Sequence, residues 1–210
     1  MEQATGQAGV RARRPAEETR RYILDTASRL FYTRGVRAVG MDTLLKELGL
    51  GSMTLYRQFP TKDDLVAAYI QAQSAAWWAR LEDALAAAGD GPRARLAAVF
   101  AQLDRDIAAP GFRGCPFLNT VTEFPDPAHP AHAAAVVHKR AVRARFEELA
   151  RAAGAVDPTA LTDALVVLMD GAYCAGQALG PDGPARRARA LADDLVDGQC
   201  PSPSHADPAH

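Results

Sequence analysis

The most reactive side chains of the sequence gather in one stretch of its second half: Cys115, Glu123, Asp126, His129, His132 and His138. A thiol beside an imidazole could act as nucleophile and base, and thiol, imidazole and carboxylate groups are all metal ligands. No Ser/His/Asp arrangement, glycine-rich phosphate loop or HExxH motif accompanies them. Pro130 also stands between His129 and His132 at a predicted helix start. We therefore expect polar side chains that cap a loop, with no catalytic residue, metal or cofactor, and a protein that is not an enzyme.

A second group of side chains, between residues 51 and 62, is suited to contacting nucleic acid. On a helical wheel, Leu55 and Phe59 are i,i+4 neighbours and define a buried face. The opposite face then carries Met53, Thr54 and Arg57, with a phenol and an amide on its flanks. Arginine can bond guanine through two hydrogen bonds, threonine can meet a thymine methyl group, and phenol or amide groups can bond phosphates.

The helix that carries this second group follows a short helix and a glycine turn. Leu44 and Leu48 recur at helical spacing, and Gly49 suits a C′ position with positive φ, where a Cβ would be strained. Gly51 or Ser52 can begin the next helix. Two short helices joined by such a turn form a helix-turn-helix unit, whose second helix enters a DNA groove. An ordinary helical hairpin with a solvated outer face is the alternative from this pattern alone.

The surrounding sequence makes the helix-turn-helix interpretation more specific. A third amphipathic helix is predicted over Arg20–Thr33, and Thr61 is a predicted N-cap of a fourth helix that begins at Lys62. The segments LFYTRG, MDTLLKELG, TLYRQF and TKDDL follow in order. Over roughly residues 20–70 the chain thereby resembles the DNA-binding domain of the TetR family of transcriptional regulators.

The resemblance implies DNA contacts at Thr54, Tyr56 and Arg57, and a phosphate contact at Lys62, on a helix N-terminus that favours anions. Gly40, Gly51 and Met53 depart from the family's usual residues. The full set of predicted DNA-binding residues is Gly51, Ser52, Met53, Thr54, Tyr56, Arg57, Gln58, Lys62 and Thr43.

The remainder of the chain is predicted to be helical throughout. Helices are expected over Lys62–Ala88, Arg93–Ala108, Cys115–Glu123, Pro130–Ala153, Pro158–Leu179 and Pro184–Val196. The fold class is therefore all-α, an N-terminal three-helix helix-turn-helix domain followed by a larger helical bundle. We expect a disordered basic tail over residues 1–16, the DNA-binding domain over 17–61, an effector-binding and dimerisation domain over 62–197, and a second disordered tail over 198–210.

The helical body is expected to hold a ligand pocket and a subunit interface. Apolar and aromatic side chains with few polar groups are the usual lining of a small-molecule site. Ordinary core packing is the alternative for each residue singly, and the pocket is implied mainly by the resemblance. The candidate lining residues are Trp77, Phe100, Leu103, Ile107, Cys115, Leu118, Asn119, Met169 and Tyr173.

The predicted helix 158–179 is apolar over most of its circumference and must be covered on several sides. A second copy of the chain could cover part of it, and the resemblance likewise implies that the last two helices pair in a homodimer. The candidate interface residues are Leu161, Leu165, Leu168, Leu191 and Leu195.

The segment GFRGCPFLNTVTEF resembles a subset of TetR-type regulators with a Gly-Cys pair, an asparagine and a glutamate across the sixth helix. In some relatives that cysteine responds to electrophiles or oxidants. Cys115 lies near a predicted helix N-terminus, where a thiolate is stabilised. Cys115 could therefore be either a sensor thiol or a small buried side chain.

Charge and composition agree with a DNA-binding protein. Residues 1–62 contain eleven Lys or Arg and six Asp or Glu, a balance of +5, so the rest carries −6 of the chain's net charge of −1. A basic end on an acidic body suits a protein that presents one end to a polyanion. The RARRP segment (residues 11–15) could add phosphate contacts or be a solvated tail.

The same composition predicts a cytoplasmic location. The 210 residues contain no run of 18 apolar residues and no apolar signal core. The three cysteines lack CxxC spacing and are expected to be thiols.

These features predict a homodimeric DNA-binding transcriptional regulator, a repressor released from a palindromic operator by a small-molecule effector. The partners are double-stranded DNA, a second copy of the chain and an unidentified effector, with no membrane. The first alternative is the same scaffold acting as an electrophile or oxidant sensor through Cys115. More remote alternatives are a thiol enzyme that uses Cys115 with a nearby histidine, and a helical adaptor that binds protein through the surface 161–173.

Overall fold

The structure is a computed structural model that describes residues 15–200. Within that range the chain forms nine α-helices and one short 3₁₀ helix, and no β-strand. The helices are α1 (Ala16–Arg34), α2 (Met41–Leu48), α3 (Ser52–Gln58), α4 (Lys62–Ala87), α5 (Pro92–Ala108), α6 (Pro116–Glu123), α7 (Pro130–Ala152), α8 (Pro158–Leu179) and α9 (Ala188–Gln199), and the 3₁₀ helix covers Pro184–Arg187. The all-α fold class is confirmed.

The boundaries of the helices follow local sequence signals. Thr61 and Asp64 form a reciprocal capping box at the start of α4. Asp157 accepts a hydrogen bond from the amide of Ala160 at the start of α8, which has proline as its first residue. The glycine of the first turn, Gly49, has φ 61° and ψ 29°, the left-handed conformation that the sequence predicts.

The helix boundaries near both ends of the described residues differ from the prediction by more than one residue. Helix α1 begins at Ala16, four residues before the expected start, after Pro15 in an extended conformation. Helix α9 extends to Gln199, and Cys200 after it is fully buried, so residues 198–200 belong to the helical body. The remainder of both predicted tails, residues 1–14 and 201–210, lies outside the described residues.

The helix-turn-helix domain packs around a small core that α4 completes. The stripe Ile23, Ala27, Leu30 and Phe31 of α1 is buried, as are Leu55 and Phe59 after the turn. Helix α4 adds a further set of buried side chains from its first turns, and the Phe31 and Tyr69 rings meet edge to face at 5.6 Å between centroids. Burying such side chains contributes about 2 kcal/mol each. The first turns of α4 therefore belong to the same core as the DNA-binding domain.

The C-terminal part is a bundle in which α7 is central. It packs against α4, α5, α6 and α8, while α9 covers α5 and α8. The Phe100 and Phe146 rings lie 6.1 Å apart in its interior. No helix among the described residues is long and apolar enough to cross a membrane.

Candidate DNA interface and effector cavity

Helix α3 presents its polar face away from the core. Leu55 and Phe59 have 0% and 1% of their surface exposed, whereas Met53 is 86% and Tyr56 45% exposed. Arg57 is exposed, and within residues 15–200 its side chain has no hydrogen-bond or ion-pair partner. An uncompensated guanidinium beside an exposed apolar group leaves this face able to contact another molecule.

Contacts from α1 fix the orientation of α3. The Arg20 guanidinium donates a 2.6 Å hydrogen bond to the carbonyl of Gln58 and lies 4.1 Å from the centroid of the Phe59 ring. The Tyr22 hydroxyl donates to the carbonyl of Leu48, at the end of α2. Both helices of the motif are thereby fastened to α1, and a movement of α1 would move the exposed face of α3.

The other predicted DNA contacts fall into two groups. Gly51 and Ser52 are exposed, and Thr43, Thr54, Gln58 and Lys62 are partly buried. Neither Gly40 nor Gly51 supplies a side-chain cap to its helix.

The Lys62 ammonium group already has a partner within the chain. Its Nζ donates a 2.8 Å hydrogen bond to the carbonyl of Val36, and burial lowers the pKa of this amine. Lys62 therefore joins α4 to the α1–α2 loop, and a phosphate would share or replace that carbonyl.

A cavity of about 340 Å³ lies between the helix-turn-helix domain and the helical body. Aromatic side chains form much of its wall, namely Tyr32, Trp77, Phe112, Phe117 and Tyr173. Its polar side chains include Gln73, Arg80 and Asp106. Tyr32 belongs to α1, so the cavity wall includes a residue of the DNA-binding domain.

A network of hydrogen bonds orders one side of this cavity. The Tyr173 hydroxyl donates to Asp106 Oδ2 at 3.2 Å and accepts from Trp77 Nε1 at 3.3 Å. Asp106 Oδ1 accepts from Gln102 at 2.8 Å and lies 3.2 Å from Arg80 Nε. The pKa of Tyr173 is raised, mainly by burial, which favours the protonated hydroxyl that can donate a hydrogen bond.

The structure brings only part of the predicted pocket together. Trp77 and Tyr173 line the cavity, whereas Phe100 and Leu103 lie in the core of the bundle and Ile107 borders a separate recess. Cys115 and Met169 border a smaller void of only about 20 Å³, which Phe117 also lines. Leu118 and Asn119 of α6 do not line the large cavity. These seven assignments are corrected because helical spacing identifies apolar faces but not which face borders empty space.

Sequence reasoning missed the polar residues of the cavity. Arg80 and Asp106 have opposite charges on neighbouring predicted helices, which is a weak signal for a pair. Their contact depends on how α4 packs against α5, and the sequence pattern does not specify that rotation. Tyr32 follows the buried Phe31 and resembles any other aromatic residue of a helical core.

Cys115 occupies the N-cap position of α6, as its sequence context indicates, but only 5% of its surface is exposed. Burial raises the pKa of the thiol more than the nearby α6 amides lower it. This environment favours the neutral thiol, so the expected thiolate stabilisation is outweighed by desolvation.

The three histidines have separate structural roles. His129 caps α7 by accepting from the amide of Ala131, and His132 Nδ1 lies 2.7 Å from the carbonyl of Phe124. His138 is buried against the Phe117 ring, 3.5 Å between centroids, with Nδ1 2.9 Å from Ser74 Oγ. Among residues 15–200 no three His, Cys, Asp or Glu side chains are grouped so that they could hold a metal ion.

Helix α6 contacts the DNA-binding domain at both of its ends. Before α6, the Tyr32 hydroxyl donates to the carbonyl of Gly114 at 3.0 Å and accepts from the amide of Arg113 at 2.8 Å. Gly114 has φ 79°, a left-handed conformation that favours glycine and that a side chain would strain. At the other end, Glu123 Oε2 accepts from the amide of Arg37 at 2.8 Å.

The predicted subunit interface is partly contradicted. Leu161 and Leu165 are 1% and 0% exposed within the single chain, so a second copy cannot reach them. Leu168 and Leu195 are partly buried, and Leu191 is 43% exposed. The exposed side of α8 instead carries Val167, Gly171, Cys174 and Ala178.

An exposed second helix in a helix-turn-helix unit, carried by a separate helical body, defines the class of DNA-binding transcriptional regulators. Residues 23–69 match the family described as bacterial regulatory proteins, tetR family, and residues 92–192 match the tetracyclin repressor-like C-terminal domain. The chain belongs to the TetR family and is a regulator, not an enzyme.

Solved structures and sequence relatives agree with this assignment. A TetR-family regulator from Streptomyces coelicolor has 36% identity and a TM-score of 0.78, over 87% of this chain and 94% of that one. A tetR-type regulator from Streptomyces avermitilis has 33% identity and a TM-score of 0.76, over 86% and 97%. An HTH-type regulator of Staphylococcus aureus is 44% identical over 59 residues, 28% of this chain and 32% of the relative. The match thus spans about a third of that relative's length.

Proposed function

We propose that the protein is a homodimeric repressor that leaves a near-palindromic operator when a small molecule binds the cavity beside Tyr32. This proposal rests on the wall of the cavity, which is formed by residues of both the DNA-binding domain and the helical body. Tyr32 lies on α1, which orients α3, and its hydroxyl bonds to the segment that precedes α6. A molecule in the cavity therefore contacts a residue of the DNA-binding domain directly.

Operator binding is assigned to the exposed face of α3. Arg57 would contact a base edge, with Met53 and Thr54 beside it and Tyr56 and Gln58 on phosphates. Gly51, Ser52, Thr43 and Lys62 would contact the DNA backbone around them. The exposure of Met53, Tyr56 and Arg57 supports this assignment.

Dimerisation is assigned to the outer sides of α8 and α9. Val167 is 72% and Leu191 43% exposed, and the neighbouring residues of α8 are small enough for close helix packing. A two-fold dimer would place two copies of α3 in successive major grooves, about 34 Å apart. The protein would act in the cytoplasm, where it meets chromosomal DNA.

Release from DNA requires that the effector bind more tightly to the released conformation than to the DNA-bound one. The contacts of α6 with α1 and with the α1–α2 loop give such an effector a route to α3. The residues Gly114, Cys115, Asn119 and Glu123 that suggest the Gly-Cys…Asn…Glu subset lie along this route. Asn119 supports the turn by donating to the carbonyl of Arg113 at 2.9 Å.

A thiol sensor is the second candidate and has less support. Cys115 borders only a small void, and burial favours its neutral thiol. If the Cys115→Ser variant is released from DNA by an electrophile as readily as the original chain, the sensor function is contradicted.

Selection of duplexes from a random DNA library with the purified chain tests the proposed function. The enriched sequences should contain two inverted half-sites whose centres are about one helical turn apart. Affinity for the enriched duplex should fall steeply with salt, because bound phosphates release counterions. Enrichment of no sequence, or binding that is insensitive to salt, would contradict operator binding.

A further inference from the structure

The cavity beside Tyr32 has aromatic walls that suit a flat ring. Phe112 and Tyr173 lie nearly parallel, 22° between planes and 6.1 Å between centroids. Trp77 is held edge to face by Trp78 at 4.9 Å and by His138 at 5.1 Å. Rings that are fixed by their neighbours lose little freedom when a second ring packs on them. The volume of about 340 Å³ is at the lower end of the range for small-molecule sites.

The charges that face this cavity are already paired with each other. Asp106 accepts from Tyr173 and Gln102 and lies 3.2 Å from Arg80 Nε. A cationic ligand would have to displace Arg80 from Asp106, and an anionic ligand would compete with Asp106 for Arg80. In the first exchange one cation merely replaces another at Asp106. In the second, Asp106, whose side chain is 14% exposed, loses its partner, which is costly. His138, behind Phe117, is held neutral as well.

Gln73 supplies the polar group that remains available. Its side chain lines the cavity and is partly buried, and within residues 15–200 it has no hydrogen-bond partner. A primary amide offers both a donor and an acceptor, so it can bond a hydroxyl or a carbonyl group. It cannot neutralise an ionic charge.

We propose that the cavity binds uncharged, planar aromatic molecules that carry one hydroxyl or carbonyl group. The ring packs against Trp77, Phe112 and Tyr173, and the polar group bonds the Gln73 amide. This assignment rests on the proposed function, in which the cavity holds the effector, and it names the chemical class of that effector.

Three probes that share one ring test the role of charge: 2-naphthol, 2-naphthoate and 2-naphthylmethylamine, which are neutral, anionic and cationic at pH 7. Titration calorimetry with the full chain should give 2-naphthol an affinity at least about tenfold higher than either charged probe. Equal or tighter binding of a charged probe, or absence of 2-naphthol binding, would overturn the proposal.

A substitution at Gln73 tests the polar contact. Gln73→Leu keeps the approximate size of the side chain. It should lower the affinity for 2-naphthol by about tenfold and leave the affinity for unsubstituted naphthalene unchanged. Gln71→Leu is the matched control, because Gln71 is an exposed glutamine on the same helix. Equal losses for both ligands, or in both variants, would contradict the assigned contact.

Binding of the enriched duplex, measured on the same samples, separates this inference from the proposed function. Intact operator binding without 2-naphthol binding overturns the effector class alone. Binding of 2-naphthol with the Gln73 dependence supports the inference, whether or not the operator is released. If the operator stays bound at saturating 2-naphthol, the effector role of the cavity in the proposed function is contradicted.

Discussion

Met53 and Arg57 lie one helical turn apart on the exposed face of α3, and together they form an apolar and cationic pair. Met53 is the most exposed large apolar side chain of the described residues. An exposed thioether is flexible and can fit an irregular surface such as the edges of bases. The resemblance to TetR regulators implies a smaller residue at this position. We therefore expect Met53 and Arg57 to set the operator preference of this protein.

Replacing Arg57 with alanine tests the contact with a base. The change should lower affinity for the selected operator by about 1–3 kcal/mol and relax the preference at one base pair. Fluorescence anisotropy on the selected duplex and on single-base variants would measure both effects. Arg140→Ala, an exposed arginine of α7, is the control. Unchanged operator affinity for Arg57→Ala would contradict the assignment of α3.

The burial of His138 predicts how the stability of the fold depends on pH. The pKa of His138 is lowered from 6.5 to about 4, mainly by burial and secondly by the charge of Lys139. The unfolded chain therefore binds more protons between those values, so stability decreases as pH falls from about 6.5 towards 4. A shift of this size corresponds to a loss on the order of 3 kcal/mol at the acid end.

The titration of His138 can be separated from other effects by substitution. His138→Gln should unfold more readily at pH 7, since the contacts with Phe117 and Ser74 change, but should lose less stability than the original chain between pH 6.5 and 5. Urea unfolding at several pH values measures this slope. An identical slope in both proteins would show that another group titrates.

At the scale of elements, α6 connects the cavity to the DNA-binding domain. The segment before it bonds to Tyr32 of α1, and Glu123 at its end bonds to the Arg37 amide in the α1–α2 loop. Lys62 at the start of α4 donates to Val36 in the same loop. A shift of α6 would therefore reach the DNA-binding domain through two separate contacts, one with α1 and one with the α1–α2 loop.

Removing the hydroxyl of Tyr32 tests this connection. Tyr32→Phe should bind 2-naphthol with nearly unchanged affinity but require a higher concentration for operator release, because the bonds to Gly114 and Arg113 are lost. The change should also cost about 1–3 kcal/mol of stability, since those backbone groups lose a partner. Calorimetry and operator anisotropy, measured together, separate binding from release.

Tyr22→Phe is the matched control for this experiment. Tyr22 is on the same helix, and its hydroxyl donates to Leu48 within the DNA-binding domain, away from the cavity. An equal change in the release concentration for both variants would indicate general destabilisation of α1.

At the scale of the molecule, the outer side of α8 is the surface assigned to the proposed dimer. Val167→Glu should convert the dimer to monomers and lower operator affinity by more than tenfold, because two linked recognition helices bind far more tightly than one. Sedimentation velocity and operator anisotropy measure the two effects. Val137→Glu, an exposed valine of α7, is the control. A Val167→Glu protein that remains dimeric would contradict the assigned interface.

The DNA-binding half of the molecule was largely predictable from its sequence. Its helices are short and bounded by local signals, such as Gly49 in the turn and the capping box at Thr61. The wheel of α3 assigned Leu55 and Phe59 to the core correctly, because one short helix with one apolar stripe has only one way to bury it.

The cavity and the subunit surface were less predictable because they depend on packing between distant helices. The α8 helix is apolar on most sides, so its sequence could not distinguish the side that α7 covers from the side left exposed. Leu165 was therefore assigned to an interface although it is fully buried in the chain. For the same reason, Phe100 and Leu103 were assigned to a pocket although they lie in the core.

The sequence by itself determined the all-α fold, the helix-turn-helix unit and the polar face of α3, since these arise from spacing along the chain. Only the tertiary structure placed Tyr32 at the cavity and paired Arg80 with Asp106. It also enclosed Cys115, which reversed the expected effect of its helix N-terminus on the pKa of the thiol. These features depend on which helix faces meet, and desolvation by surrounding side chains is a property of that packing.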